Sequence, residues 1–249
     1  MAVKLTYYGS MALLIERSDG YRILIDPYLT DNPQTDARPE QFYDVDLILL
    51  THAAYDHFGD TVDIMAHSNA KLMCGYDCKA MVQEQLDLPK DRLINALYGD
   101  EERFGMTTVR CVLAFHHSTR TFDGVRVYAP PFGYVVEIEP GAVLYHTGDT
   151  CLSAEMELIG RIYRPDILCV AISRVAMVHG CVMTPREAAF AAHYTGAKLA
   201  IPGHYPPEQE AQLLEAFATH MRTLAPQCTV LEQRGRTIVY EPARAAYEA

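Results

Sequence analysis

Four hydrophobic, strand-like runs in this 249-residue chain each end in an imidazole or a carboxylate, and that recurrence constrains the fold more than any other feature. Residues 46–51 run into His52, Asp56 and His57, and residues 107–115 into His116 and His117. Residues 142–146 run into Asp149, and residues 198–202 into His204. Backbone at a strand end is rigidly held, so side chains just beyond several strands can converge on one point. Taken singly, each residue has a plain structural explanation: a His beyond a strand is commonly hydrogen-bonded framework, and an Asp after a Gly is commonly a turn residue. Independent accidents should not cluster at four strand ends. Imidazole and carboxylate without cysteine suit Zn, Mn or Fe, and composition does not choose among them.

The rest of the pattern predicts one α/β domain over residues 1–249. Strand-like runs at 3–8, 12–16, 21–25 and 46–51 come first, with Ser18-Asp19-Gly20 as a turn. The middle alternates helix 60–66, strand 71–74 and helix 77–86, followed by strands 107–115, 134–138 and 142–146. Regular βα units close the chain: helices 153–162, 185–195 and 208–222 with strands 166–172, 198–202 and 237–240. Thr184, Pro185 and Glu187 form a helix-start signature, and Gly196 is placed to end that helix. The polar, Pro-containing segment 31–40 reads as a long loop of the kind that borders a site. Strands dominate the first half and βα units the second, with no linker between them. Two packed sheets with helices outside are therefore expected.

Composition serves mainly to exclude. The formal net charge of −11 argues against a nucleic-acid partner, which needs clustered Lys and Arg. No apolar run approaches the roughly 18 residues that span a bilayer. The start MAVKLTYYGS enters a strand directly, without the apolar core of a signal peptide. The expectation is a cytoplasmic protein acting on a small molecule, without nucleic-acid or membrane partners, and with self-association as a homo-oligomer left open. The seven cysteines form an odd set, and no second close pair complements Cys74 and Cys78 as a four-cysteine zinc site. They read as reduced thiols.

The segment Thr51-His-Ala-Ala-Tyr-Asp-His57 resembles the T-H-x-H-x-D-H signature of the metallo-β-lactamase superfamily. It is most similar to a branch of small bacterial metal-dependent hydrolases that includes the L-ascorbate-6-phosphate lactonases. The resemblance runs through Tyr8-Gly9 with Ala12-Leu-Leu-Ile15, Arg22-Ile-Leu-Ile-Asp-Pro27 and Ala114-Phe-His116. It continues through Tyr145-His-Thr-Gly-Asp-Thr150 and Ile201-Pro-Gly-His-Tyr205. It implies an αββα sandwich of two mixed sheets with outer helices and a metal site along one edge. It also implies two metal positions. The first would take His52, residue 54 and His116; the second would take Asp56, His57 and His204, with Asp149 bridging both.

At position 54 the chain departs from the pattern, because Ala54 has no donor atom. The first position then keeps at most His52, His116 and Asp149. One Zn or Mn ion is expected firmly at the second position, with the first weak, empty or rescued by another side chain. His117 and His179 are the candidates for a substitute ligand or for facing substrate, and Arg174, with Arg120 and Arg186, for recognising an anionic one. Ser10 also departs, standing where the family usually has His. Asp26 and Thr51 either support a ligand imidazole or are ordinary strand-end residues. The expected activity is hydrolysis of a small ester, lactone or phosphoester by a water whose pKa the ion lowers from about 15.7 to about 7. Asp149 would position ion and nucleophile, and Asp56 would accept a proton. The competing expectation, supported by Ala54 and Ser10, is a catalytically silent metal-binding or ligand-sensing protein on the same scaffold.

Overall fold

Strict alternation along the first strands divides their side chains between two cores. In β1 (Val3–Gly9), β2 (Ala12–Glu16), β3 (Arg22–Ile25), β4 (Leu47–Leu49) and β5 (Lys71–Cys74), successive residues face opposite sides of the sheet. Leu13, Ile15, Ile23, Ile25, Leu47, Leu49 and Met73 point inward, into the larger core. Leu14, Leu24, Ile48 and Leu72 point outward, under helices α2 (Thr61–His67) and α3 (Tyr76–Gln83). A short helix, α1 (Tyr55–Phe58), precedes these two.

The computed structural model describes residues 2–122, 125–173, 182–231 and 234–241. After β6 (Leu93–Asn95) come β7 (Glu101–Phe104), β8 (Thr107–Leu113) and a separate hairpin of β9 (Ser118–Phe122) and β10 (Val125–Ala129). The chain continues through β11 (Phe132–Glu139), β12 (Ala142–His146), β13 (Ile167–Ala171), β14 (Leu199–Gly203), β15 (Thr229–Val230) and β16 (Thr237–Tyr240). One seven-stranded sheet runs β16-β1-β2-β3-β4-β5-β6 and the other β15-β14-β13-β12-β11-β8-β7. Helices α4 (Glu155–Tyr163), α5 (Pro185–Thr195) and α6 (Glu210–Leu224) bury Ile159, Ala188 and Phe217 in the core that the second sheet also fills. This is the expected αββα sandwich of mixed sheets.

β3 to β6 are parallel, as are β12 to β15, and β8 runs the same way as β12 because both pair antiparallel with β11. The donor-bearing strand ends therefore share one edge. The expected cap of α5 is present: Thr184 Oγ1 accepts from Glu187 N, and the Glu187 carboxylate accepts from Thr184 N at 2.7 Å. Gly196 follows in the left-handed conformation.

Several boundaries differ from the sequence reading. The expected strand 46–51 is regular only over Leu47–Leu49, and the strand expected over 107–115 stops at Leu113. Thr51 and His116 therefore sit in loops, where the backbone is free to aim their side chains. The strands β6, β7, β9, β10 and β15 and the helix α1 carried no readable periodicity. β7 is Glu-Glu-Arg-Phe at a sheet edge, where charge is tolerated and even protective against edge pairing. No helix among the described residues is long and apolar enough to cross a membrane.

Candidate metal centre

The turn after β4 sets the site. Ala54 caps α1 with extended backbone, and its carbonyl accepts from Phe58 N at 2.8 Å, which coils the chain and brings Asp56 and His57 to the sandwich edge. Opposite, the β12 loop closes against Thr51 through Gly148. A Cβ there would lie 2.6 Å from Phe132 O and 3.0 Å from Thr51 Cβ, at φ +56°, so only glycine permits the approach. Asp149 follows directly.

Two donor groups result. His52, His116 and Asp149 offer ligand atoms within 4.8 Å of one another, and so do Asp56, His57 and His204. Asp149 also faces the second group: its Oδ2 lies 3.0 Å from His204 Nε2 and its Oδ1 3.5 Å from His57 Nε2. Its Oδ2 is 3.8 Å from His116 Nε2, and Asp56 Oδ2 is 3.2 Å from His204 Nε2. All six residues expected to hold metal thus stand together, with Asp149 between the groups.

The unpaired atoms test whether these residues fit a metal. His52 Nε2, His57 Nε2 and Asp149 Oδ1 are buried, and none makes a hydrogen bond among the described residues. Leaving a buried polar atom unpaired costs about 1–3 kcal/mol. A divalent ion among them would satisfy all three, and imidazole with carboxylate is a suitable donor set for one. The residues fit.

Asp26 and Thr51 orient the imidazoles. Asp26 is fully buried; it accepts from Thr51 N at 2.8 Å and from Thr51 Oγ1 at 2.7 Å, and its Oδ2 lies 2.7 Å from His57 Nδ1. With its proton committed to Asp26, Thr51 Oγ1 is left to accept from His52 Nδ1 at 3.0 Å. Both bonds place the other ring nitrogen, Nε2, toward the donor groups. Ser10, Asp26 and His204 have φ of 46°, 48° and 61°, and they are three of the four described non-glycine residues in the left-handed region. Such strain, about 1–3 kcal/mol each, persists where surroundings over-determine it. Here His204 N donates to Ser10 O at 2.6 Å, and Ser10 N donates to Gln34 Oε1 at 2.7 Å. The loop 31–40 does border the site.

The two groups differ electrostatically. Burial opposes charge on His57 and His204, but the Asp149 carboxylate, with Asp26 or Asp56, overcomes it. His57 is held well above its ordinary value, and His204 is raised to about 9. Burial also resists charge on Asp56, yet its bond to His204 lowers it to about 2. Burial prevails at His52, which falls to about 3, and at His116, which is lowered too.

His117 belongs to neither donor group, which corrects its expectation as a substitute ligand. Its exposed ring stacks on that of His116 with centroids 4.5 Å apart, on the outer side of that ligand ring. His179 and Arg174 lie outside the described residues, as does the side chain of Arg120. Arg186 sits over the Phe190 ring, against a separate cleft. His146 is framework: Nδ1 accepts from Gly148 N and Nε2 donates to Met11 O at 3.1 Å.

Beside the donors opens a cleft of about 280 Å³ lined by Ser10, Tyr28, Gln34, Tyr55, Asp56 and His204, among others. A larger cleft of about 480 Å³, by Tyr21, Asp46 and Lys71, lies at the opposite strand ends and holds no such donor group among the described residues. Sequence reasoning missed Tyr28 and Tyr55 because nothing in their local pattern separates a cleft-lining tyrosine from a surface one.

The family described as Beta-lactamase superfamily domain matches residues 21–205. A UPF0173 metal-dependent hydrolase of Rubrobacter xylanophilus is 38% identical over 205 residues, covering 81% of each chain. One from Pyrococcus horikoshii is 39% identical over 204 residues, covering 82% of this chain and 84% of that one. Among solved structures, Igni18, a metallo hydrolase from the archaeon Ignicoccus hospitalis, is 26% identical with a TM-score of 0.78, covering 97% and 99%. An isothiocyanate hydrolase from Delia radicum gut bacteria shares the fold at 17% identity and TM-score 0.72, covering 95% and 99%.

Proposed function

From the premise that this chain belongs to the metallo-β-lactamase superfamily, among its metal-dependent hydrolases, we propose that it hydrolyses a small ester or lactone in the cleft beside Asp56 and His204. The observation that carries this is the pair of donor groups sharing Asp149, with His52 Nε2, His57 Nε2 and Asp149 Oδ1 among the buried atoms left without a hydrogen bond within the described residues. Asp56, His57, His204 and Asp149 would hold one Zn or Mn ion firmly; His52, His116 and Asp149 would hold a second weakly. A bound divalent ion supplies Lewis acidity, which brings a water's pKa toward about 7 and polarises the scissile carbonyl.

The chain's own residues do the rest. Asp26 and Thr51 fix the imidazole tautomers, and Asp149 lies where both donor groups meet. Asp56 is held as a carboxylate and opens onto the cleft, so its oxygens are placed to take a proton from water. Tyr28 and Tyr55, edge to face with centroids 5.8 Å apart, offer aromatic surface to the acyl group. The aromatic and amide groups that line this cleft suit an uncharged acyl substrate.

Purified protein replete with Mn or Zn, assayed on lactones, simple esters and phosphodiesters, tests the reading. Turnover of lactones or esters that a chelator abolishes is expected. Tight metal binding with no turnover on any class would instead identify a silent metal-binding protein.

A further inference from the structure

Ala54 leaves the first donor group with three protein ligands, each on a different loop. Two cross-loop bridges tie those loops one or two residues from the ligands. Ser118 Oγ donates to the Asp77 carboxylate at the start of α3, and the same oxygen accepts from Ala53 N at 2.9 Å. Ala53 adjoins His52, and Ser118 follows His116 by two residues. On the other side, Phe115 N donates to Thr150 Oγ1 at 2.8 Å, joining the residue before His116 to the residue after Asp149. Ser118 and Thr150 are both essentially inaccessible to solvent. A hydroxyl has one proton and two lone pairs, so each can donate on one side and accept on the other, as a simple methyl cannot. Thr150 Oγ1 uses its proton on Cys151 O at 3.0 Å.

Inside the ring of bridges, the His52 and His116 rings meet edge to face, with centroids 5.3 Å apart. His52 Nε2 is buried there without a hydrogen-bond partner among the described residues. The Ser118 bridge does not touch the Asp56 and His204 side of the site, which rests on Asp26, Ser10 and Gln34, and the Thr150 bridge meets that side only through the shared Asp149.

We propose that Ser118, anchored by Asp77, and Thr150 are positioning residues that preorganise His52, His116 and Asp149 as a three-donor position for a second, weaker divalent ion. This rests on the donor assignment of the proposed function but not on turnover. Outer bridges that hold ligands in place are typically worth about 10–100-fold in affinity.

The test is a cobalt(II) titration of the metal-free full chain, read by calorimetry and by the visible absorption of the bound ion. Wild type takes up two equivalents, the second weaker. Ser118→Ala weakens the second equivalent by about 10–100-fold and leaves the first unchanged, while Thr150→Val, of nearly unchanged shape, weakens the second by as much and the first, which shares Asp149, by clearly less. Thr150→Ser, which keeps the hydroxyl, restores wild-type binding. If Ser118→Ala does not fold, the two Thr150 variants decide. A single equivalent in wild type, unchanged binding in Ser118→Ala and Thr150→Val, or equal weakening of both equivalents overturns the proposal. Loss of the second equivalent in a chain without turnover on any substrate would sink the hydrolase reading and leave this one standing. Turnover with one ion and no second site would do the reverse.

Discussion

The Asp56–His57–His204 group and the His52–His116–Asp149 group lie side by side, yet they are organised on opposite principles. In the first of these, side chains pair with each other: His204 with Asp56 and Asp149, His57 with Asp26. The facing carboxylates raise the pKa of both its imidazoles. In the other, burial outweighs the nearby carboxylates and lowers the pKa of both imidazoles, and order comes from neighbouring residues bridged through Ser118 and Thr150. The contrast separates two costs of metal binding. On the proposed assignment, one position would surrender protons to receive an ion, while the other would take one with little proton release but one donor fewer.

The largest expected effect breaks the comparison directly. His204→Ala should lower hydrolytic turnover beyond the roughly 100-fold that losing an outer support costs, because it removes a direct donor of the firm position. His52→Ala should cost far less. Steady-state assays of the pair at saturating metal check this, and equal losses would mean that the two groups contribute alike.

Ala54→His sharpens the comparison from the other side. Ala54 is where the resemblance places the missing donor, so the variant should tighten the second equivalent by on the order of tenfold, about 1.4 kcal/mol. Titration followed by metal content measures it. Unchanged stoichiometry at one ion, or tight binding of two ions by the wild type, contradicts the assignment.

Smallest is the effect of pH. In the metal-free chain His204 is raised from 6.5 to about 9, so its bound proton stabilises the fold fully below pH about 6.5, and that contribution is lost as pH rises to about 9. Melting of chelator-treated protein should decline across that window, and metal-loaded protein should not follow it. Calorimetry at neutral pH in buffers of differing ionisation heat should show proton release for the first equivalent and little for the second.

Local rules made much of this molecule legible. The continuous apolar runs Leu13-Leu14-Ile15 and Ile23-Leu24-Ile25 mark strands with two buried faces, and Thr184 with Glu187 marks a helix start, because each signal is complete within a few residues. The same holds for the donors: His52, Asp56, His57, His116, Asp149 and His204 each follow a hydrophobic run, and strand ends are where a sheet delivers side chains. The charged β7 and the Ser118–Phe122 hairpin strand carried no such signal, since their pairing partners supply the order.

What the chain alone determined was the list of donors and the vacancy at Ala54, both fixed by residue type. Only the tertiary structure decided how those donors divide, because that division depends on distances across loops far apart in sequence. Gly148 seats Asp149 between the groups, Asp26 reaches His57 from the end of β3, and Ser118 reaches back to Ala53 from β9. A hydrogen bond spanning 65 residues leaves no periodicity behind it, so no reading of neighbours could have found it.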